Sequence, residues 1–276
     1  MFNRKETKNS PRPIAICFFG ITRSLRHTIS SIEKNVLSAA SEHGDTKIYS
    51  HFFVQHRINN PRSKELGSYD LNEYKLLKSD WLKLEAPDLF LNEWNFTDIC
   101  TFGDSWNDDC RSLRNLIHQL HSLRQVTLAV REEKIETCIF CRPDLFYHDS
   151  LKSVIRRALR AKDDRIQLPY WQSFGGFNDR FAICTGAKAI KAYGCRIELI
   201  NRFCQELGML HSEKLVRFAL QDSQIDVQFI GARASRVRIG GHMRDEDFQH
   251  PKIKRARNAL ERLKKALSFS NMFGIF

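Results

Sequence analysis

No uninterrupted apolar run of about 18 residues, the length a helix needs to cross a bilayer, occurs in this chain, so no transmembrane helix is expected. The opening residues MFNRKETKNSPRP are polar and lack an apolar stretch, so no signal peptide is expected either. There is no G-x-G-x-x-G fingerprint and no Walker sequence, which leaves a dinucleotide fold and a P-loop unsupported. Zinc-finger, RNP-type and KH-type motifs are also missing. Eight cysteines are present, most of them inside apolar strand-like or helix-like runs where they serve as small hydrophobes. Cys138-x-x-Cys141 has the spacing of a zinc or redox half-site, but no second such pair or paired-His motif completes it. A strand would also turn those two side chains to opposite faces. A reducing cytoplasm is the expected compartment.

What is present is a chain of 276 residues, 42% hydrophobic, which suits one sizeable domain with a tail better than two full domains. Lys and Arg number 44 against 32 acidic residues, a formal charge of +12. Such an excess points to anionic partners: nucleic acid, phosphorylated small molecules or an acidic membrane face.

Residues 1–12 read as a disordered basic leader. Pro13 to Gly20 is an apolar, β-branched and aromatic run that predicts a first strand. A polar loop follows, then a helix with Ile29, Ile32, Val36 and Leu37 on one side. Strand, glycine-containing loop and helix open a nucleotide-binding α/β unit, and Arg23 and Arg26 stand where they would meet a diphosphate or simply be solvated. Lys47 to Val54 predicts a second strand, and residues 55–110 an irregular insertion with short helices. Cys110 to Val130 carries a helical stripe (Leu113, Leu116, Ile117, Leu120, Leu123); His118 and His121 lie one turn apart on it, a metal pair or ordinary face residues.

The chain is organised around Thr137 to Asp149. Ile139 and Phe140 belong to a buried strand that Pro143 should end, since it has no backbone N–H for the ladder. Asp144 then sits at the strand's carboxyl end, where open α/β sheets bind ligands. A carboxylate there can hold a hard cation or stand solvated in a turn, and the neighbouring Arg142 can face phosphate oxygens. Further on, Gly175 and Gly176 permit close backbone approach to a ligand, with Asn178, Asp179 and Arg180 beside them. Ser212 is a predicted N-cap with Glu213 in the first helical turn, which serves either the helix dipole or catalysis. The basic stretch Arg233 to Ile239 leads to Gly240, Gly241 and His242. The final residues 251–276 predict a basic amphipathic helix with an aromatic tip, suited to an anionic membrane face or to docking on the domain.

The ordered set FFGITRSL, FCRPDLFY, GGFNDRFAI and RVRIGGH resembles bacterial glycosyltransferases of the A-type (GT-A) fold, in particular those of capsule and surface-polysaccharide synthesis. The resemblance covers most of residues 13–245. It implies a single Rossmann-like α/β domain over 13–250, with a mixed sheet flanked by helices. It implies transfer of a sugar from a nucleotide-sugar donor to a glycan or glycolipid acceptor; the cytoplasm is the expected location, with the basic tail suited to the inner face of the plasma membrane. Arg142-Pro143-Asp144 stands at the Asp-x-Asp metal motif with Arg142 in place of the first Asp. Asp144 and His242 would hold Mn²⁺ or Mg²⁺. Arg23, Arg26, Arg142, Gly175, Gly176, Asn178 and Arg180 would meet the donor, and Glu213, with Asp179 as rival, would be the catalytic base. The competing expectations are a noncatalytic nucleotide- or sugar-binding scaffold on the same fold and a basic nucleic-acid-binding protein. Much of the charge lies at the termini, so no specific nucleic acid is expected.

Overall fold

The run IAICFFG forms β1 (Ile14–Gly20), buried on both faces as far as Phe19 in a computed structural model that describes residues 13–60, 63 and 65–250. Continuous apolarity of this kind belongs to a strand covered on both sides. After it come α1 (Leu25–Ile32), a π-helical turn at Glu33–Leu37 and α2 (Ser38–Ser41). β2 (Thr46–Phe53), a hairpin of β3 (Arg57–Asn60) and β4 (Glu65–Ser68), and β5 (Trp81–Glu85) follow. The short α3 (Phe96–Thr101) leads to the 22-residue α4 (Arg111–Glu132). Next are β6 (Thr137–Cys141), β7 (Leu145–Tyr147), α5 (Lys152–Ala158), β8 (Arg165–Pro169) and β9 (Ala182–Thr185). The chain continues through α6 (Ala187–Gly194), α7 (Ile200–Leu207), α8 (Ser212–Asp222), β10 (Asp226–Ile230) and β11 (Ala234–Arg236). The predicted leader and C-terminal helix lie outside the described residues.

Seven strands form one sheet in the order β10-β8-β9-β6-β1-β2-β5. Only β9 runs antiparallel to its neighbours β6 and β8; the remaining pairs are parallel. The mixed α/β sheet flanked by helices is the architecture expected. Successive residues of a strand point to opposite faces. Ile14, Ile16 and Phe18 accordingly pack with Leu25, Ile32 and Ile155 on the α1 and α5 side. Ala15, Cys17 and Phe19 pack with Leu123, Val126, Ile190 and Val216 of α4, α6 and α8. Cys138 and Cys141 fall into opposite clusters for the same reason, and both are free thiols.

One expectation needs correction. The irregular insertion contains β5, which pairs in parallel with β2 at the sheet's edge. Its leucines, Leu82 and Leu84, are exposed while Trp81, Lys83 and Glu85 are half-buried, so the apolar pattern points away from the sheet's covered face. After Gly186 the chain forms α6 and α7, parted by a 3-10 turn at Arg196–Leu199. Among the described residues no helix is long and apolar enough to cross a membrane.

The topology gathers function at one edge. The carboxyl ends of β1, β2 and β6 meet the amino end of the reversed β9 there. β11 pairs antiparallel with β7, and Val237 N–H donates to the Asp144 carbonyl at 2.8 Å. That pairing lays the basic RVRI stretch beside Asp144.

Candidate active site

A cleft of about 710 Å³ opens at this edge, the position where α/β sheets bind ligands. Its walls come from the loops after β1, β2 and β6, the Asp179–Arg180 turn before β9, the first turns of α4 and α8, and the segment after β11. Seven arginines line it (Arg23, Arg57, Arg142, Arg180, Arg236, Arg238 and Arg244) against three carboxylates, Asp144, Asp179 and Glu213. Two further carboxylates offset part of this charge, Glu65 on Arg238 at 2.7 Å and Glu246 on Arg236 at 2.8 Å, and the cleft stays net positive.

Asp144 lies in its floor, only 4% exposed. Arg142 grips it through Nε to Oδ1 at 2.9 Å and Nη2 to Oδ2 at 2.8 Å, and Arg23 Nη2 reaches Oδ2 at 3.1 Å. Burial alone would raise the carboxyl's pKa; Arg142 and then Arg23 outweigh it and hold the group well below the usual carboxylate range. A hard divalent cation needs carboxylate lone pairs that are free and a site that is not already positive. Both oxygens of Asp144 are engaged by guanidinium groups, so Mn²⁺ or Mg²⁺ does not fit here. His242 does not line the cleft: it is exposed in a turn after β11, where its carbonyl accepts from Arg238 N–H at 2.9 Å. The expected Asp144–His242 metal pair is thus not assembled.

Asp179 and Glu213, which also line the cleft, form a buried acidic pair. Arg180 Nη1 donates to Asp179 Oδ1 at 2.7 Å and the Ser212 hydroxyl donates to Oδ2. Burial would push Asp179 up, but Arg180, Arg142 and the Ser212 bond bring it to about 2. Glu213 has weaker help: Arg180 Nη1 is 3.9 Å from Oε1 and His211 Nδ1 3.3 Å from Oε2. Burial, then repulsion from Asp179, raise its pKa to about 8. Two like charges this close do not ionise together, and the better-donated partner keeps the charge. Asp179 is the anion and Glu213 carries the proton at neutral pH.

The remaining expected residues divide. Arg23, Arg142 and Arg180 line the cleft with Asp144, Asp179 and Glu213. Arg26 does not; it is half-exposed and pairs with Glu73 at 3.3 Å. Gly175 and Gly176 approach protein rather than ligand. Gly176 packs on the first turn of α8 so closely that an added Cβ would stand 1.9 Å from the Glu213 carbonyl oxygen, while Phe177 N–H donates to that same oxygen at 2.9 Å. The glycine is needed to seat Glu213. Asn178 donates through Nδ2 to the Trp171 carbonyl at 2.6 Å and accepts from Arg180 N–H at 2.8 Å, so it shapes the loop that aims Arg180. Of the two helical imidazoles, His118 meets Asp88 at 2.8 Å, and His121 turns to His51 and Glu85.

Sequence reasoning missed Gln119, Arg236, Arg238 and Arg244. Gln119 Oε1 accepts from Arg142 Nη1 at 3.0 Å. Arg236 and Arg238 alternate in RVRI, a period-two signal, with Val237 turned into the core between them. Among the described residues, Gln119 Nε2, Arg180 Nε and Arg238 Nε are buried with no hydrogen-bond partner, and all three residues line the cleft. A buried N–H left unpaired costs about 1–3 kcal/mol, so such donors mark where a ligand's acceptor oxygens belong.

No family model matches the chain, and no curated protein matches it in sequence. Distant likenesses occur among solved structures. Mouse xyloside xylosyltransferase 1 in its apo form is 10% identical with a TM-score of 0.40, over 78% of this chain and 84% of that one. The apo form of the glycosyltransferase GlyE in Streptococcus pneumoniae TIGR4 is 13% identical with a TM-score of 0.39, over 80% of this chain and 45% of that one. An active-site mutant of LgtC is 9% identical with a TM-score of 0.41, over 78% and 72%. Likenesses this remote do not carry those proteins' activities to this chain.

Proposed function

We propose that the cleft binds a nucleotide-activated sugar and transfers the sugar to a hydroxyl of a glycan-type acceptor. The observation that carries this reading is the set of orphaned N–H donors in an arginine-lined cleft whose wall also holds the buried Asp179–Glu213 pair. Guanidinium groups make short, charge-assisted bonds to phosphate oxygens. The donor's diphosphate lies along Arg180, Arg238 and Arg244, with Gln119 as a neutral donor beside it. As the bond from the anomeric carbon to the diphosphate breaks, its electron pair goes to the leaving oxygen. Preformed positive groups stabilise that growing charge without reorganising.

Arg142 and Arg23 play a second part. Asp144 balances one of their two charges while Glu65 meets Arg23 Nε at 3.5 Å, and that clamp fixes Arg142 against Gln119. Asp144 thus sets the geometry of the phosphate site in place of binding a cation. The acceptor enters beside Glu213, over Trp106 and the exposed Phe174, whose rings suit the apolar face of a sugar. Its oxygen bonds to the anomeric carbon while its proton passes to the ionised Glu213, a step typically worth 10²–10⁴-fold. Burial, and then the Asp179 charge, keep Glu213's pKa high, and so keep it a strong enough base to take a hydroxyl proton. Glu213 is the catalytic residue in this reading and Asp179 a positioning residue.

Turnover of a panel of nucleotide sugars with simple saccharide acceptors tests the proposal. The expected result is release of one nucleoside diphosphate, lost in Glu213→Gln. Binding of nucleoside diphosphate with no turnover of any donor would favour the noncatalytic scaffold instead.

A further inference from the structure

Behind the cleft wall, outside the machinery described above, the carboxyl ends of β2 and β5 meet α4. Here His51, Glu85 and His121 turn one ligand atom each toward a common point, all three within 4.8 Å of one another. Glu85 Oε2 lies 2.8 Å from His51 Nε2 and 3.3 Å from His121 Nε2. Ligands on a tetrahedral zinc at about 2.0–2.1 Å stand roughly 3.3 Å apart, so these spacings already approach that arrangement. The side chains are also pre-set: His51 is fully buried, His121 is 4% exposed, and Phe90 stacks on the His121 ring at 3.7 Å.

The hydrogen bonds around His51 make the point sharper. Ser122 accepts from Gly20 N–H at 2.8 Å and donates its single proton to the His51 carbonyl at 2.8 Å. Its contact with His51 Nδ1 at 2.9 Å must then be an Nδ1–H donation to Ser122. With Nδ1–H spent on Ser122, His51 turns Nε2 at the Glu85 carboxylate, and this 2.8 Å contact needs a positive centre, a proton or a cation, between the two atoms. An Nδ1–H held by a neighbouring oxygen is also the orientation a metal-ligating histidine needs.

We infer that His51, Glu85 and His121 form a site for a zinc-class divalent cation that ties β2, β5 and α4 together under the cleft. Two imidazole nitrogens and one carboxylate oxygen are a zinc donor set, with water completing the tetrahedron. Phe53 and His118, which line the cleft, sit two residues along β2 and one turn back along α4 from its ligands. A cation here would fix that wall without touching substrate. Three neighbours oppose it: Lys83 Nζ at 3.5 Å from Glu85 Oε2, the Gln125 amide nitrogen at 3.2 Å from His121 Nε2, and the Trp94 indole N–H, which donates to His121 Nδ1 at 3.2 Å. Ligation through Nε2 moves the single ring proton of His121 to Nδ1, so the indole bond must break. The inference is independent of the transferase reading, because no substrate is involved.

The test is titration of chelator-treated, dialysed full-length protein with Co²⁺, followed by Zn²⁺ displacement and elemental analysis. One equivalent of Co²⁺ with the visible absorption of a tetrahedral site, displaced by Zn²⁺, is expected. Glu85→Gln should weaken uptake by more than about tenfold, and Trp94→Phe, which removes one opposing donor, should tighten it. Circular dichroism confirms that each variant is folded. No stoichiometric uptake, or uptake by folded Glu85→Gln equal to wild type, overturns the assignment.

Discussion

Replacing Glu213 with Gln should make the protein more stable and less active at once. A carboxyl moved from its ordinary 4.5 to about 8 is protonated in the folded protein at pH 7 and ionised in the unfolded chain. The raised pKa therefore contributes stability that is complete below about 4.5 and is lost as pH rises through about 8. At pH 7 the unfolded state gains roughly 3 kcal/mol by releasing this proton, a gain that Gln cannot supply. Glu213→Gln should accordingly stabilise the fold by about 2–4 kcal/mol at pH 7 and by nothing near pH 4. Urea unfolding followed by fluorescence across pH 4–9 reads this directly. The same variant, lacking a base, should lose about 10²–10⁴-fold in sugar transfer. Equal midpoints for wild type and Glu213→Gln at pH 7 and 8 would refute the burial argument, and retained turnover would refute the assigned role.

Three further outcomes follow from the same geometry. Asp179→Asn removes the negative neighbour that, after burial, raises Glu213, so the rising limb of the pH–rate profile should move below pH 8; an unmoved limb contradicts the pairing. Asp144→Asn leaves Arg142 and Arg23 facing each other in a buried site, which should cost about 3–5 kcal/mol in urea unfolding with no rescue by Mn²⁺. Gly176→Ala should cost about 3 kcal/mol because its Cβ would meet the Glu213 carbonyl oxygen at 1.9 Å; a full-stability variant would show that the loop does not seat α8.

The sheet's centre was legible because its signals are local. Continuous apolar runs marked β1 and β6, the aromatic-rich Lys47–Val54 stretch marked β2, and the stripe from Leu113 to Leu123 marked α4. Asp144, Asp179 and Glu213 could also be named, since each stands at the end of a recognisable element. What was hidden is what the fold assembles from distant parts. Arg236 and Arg238 reach the cleft only because β11 pairs with β7, and nothing in RVRI announces that partner. Gly176 read as a ligand-facing glycine because its actual neighbour, the Glu213 carbonyl, lies 37 positions on in the chain. The Asp144 reading erred because Arg142 was counted as a missing ligand, whereas it is the residue that occupies the carboxylate. His121 was seen beside His118, but its partners His51 and Glu85 come from two other strands, one of them in the segment expected to be irregular.

The account rests on arginines and unpaired N–H donors, not Asp144 with a cation, holding the donor's diphosphate. Calorimetric titration of a panel of nucleoside diphosphates, in chelator and in Mn²⁺, tests this most directly on wild type, Arg244→Ala and Asp144→Asn. The exposed Arg244 has no carboxylate partner among the described residues and lines the cleft. The expected result is binding of one nucleotide with the same affinity in chelator and in Mn²⁺, weakened about tenfold or more by Arg244→Ala, a loss of about 1.4 kcal/mol or more. Binding that appears only with Mn²⁺, vanishes in folded Asp144→Asn and is untouched by Arg244→Ala would contradict it.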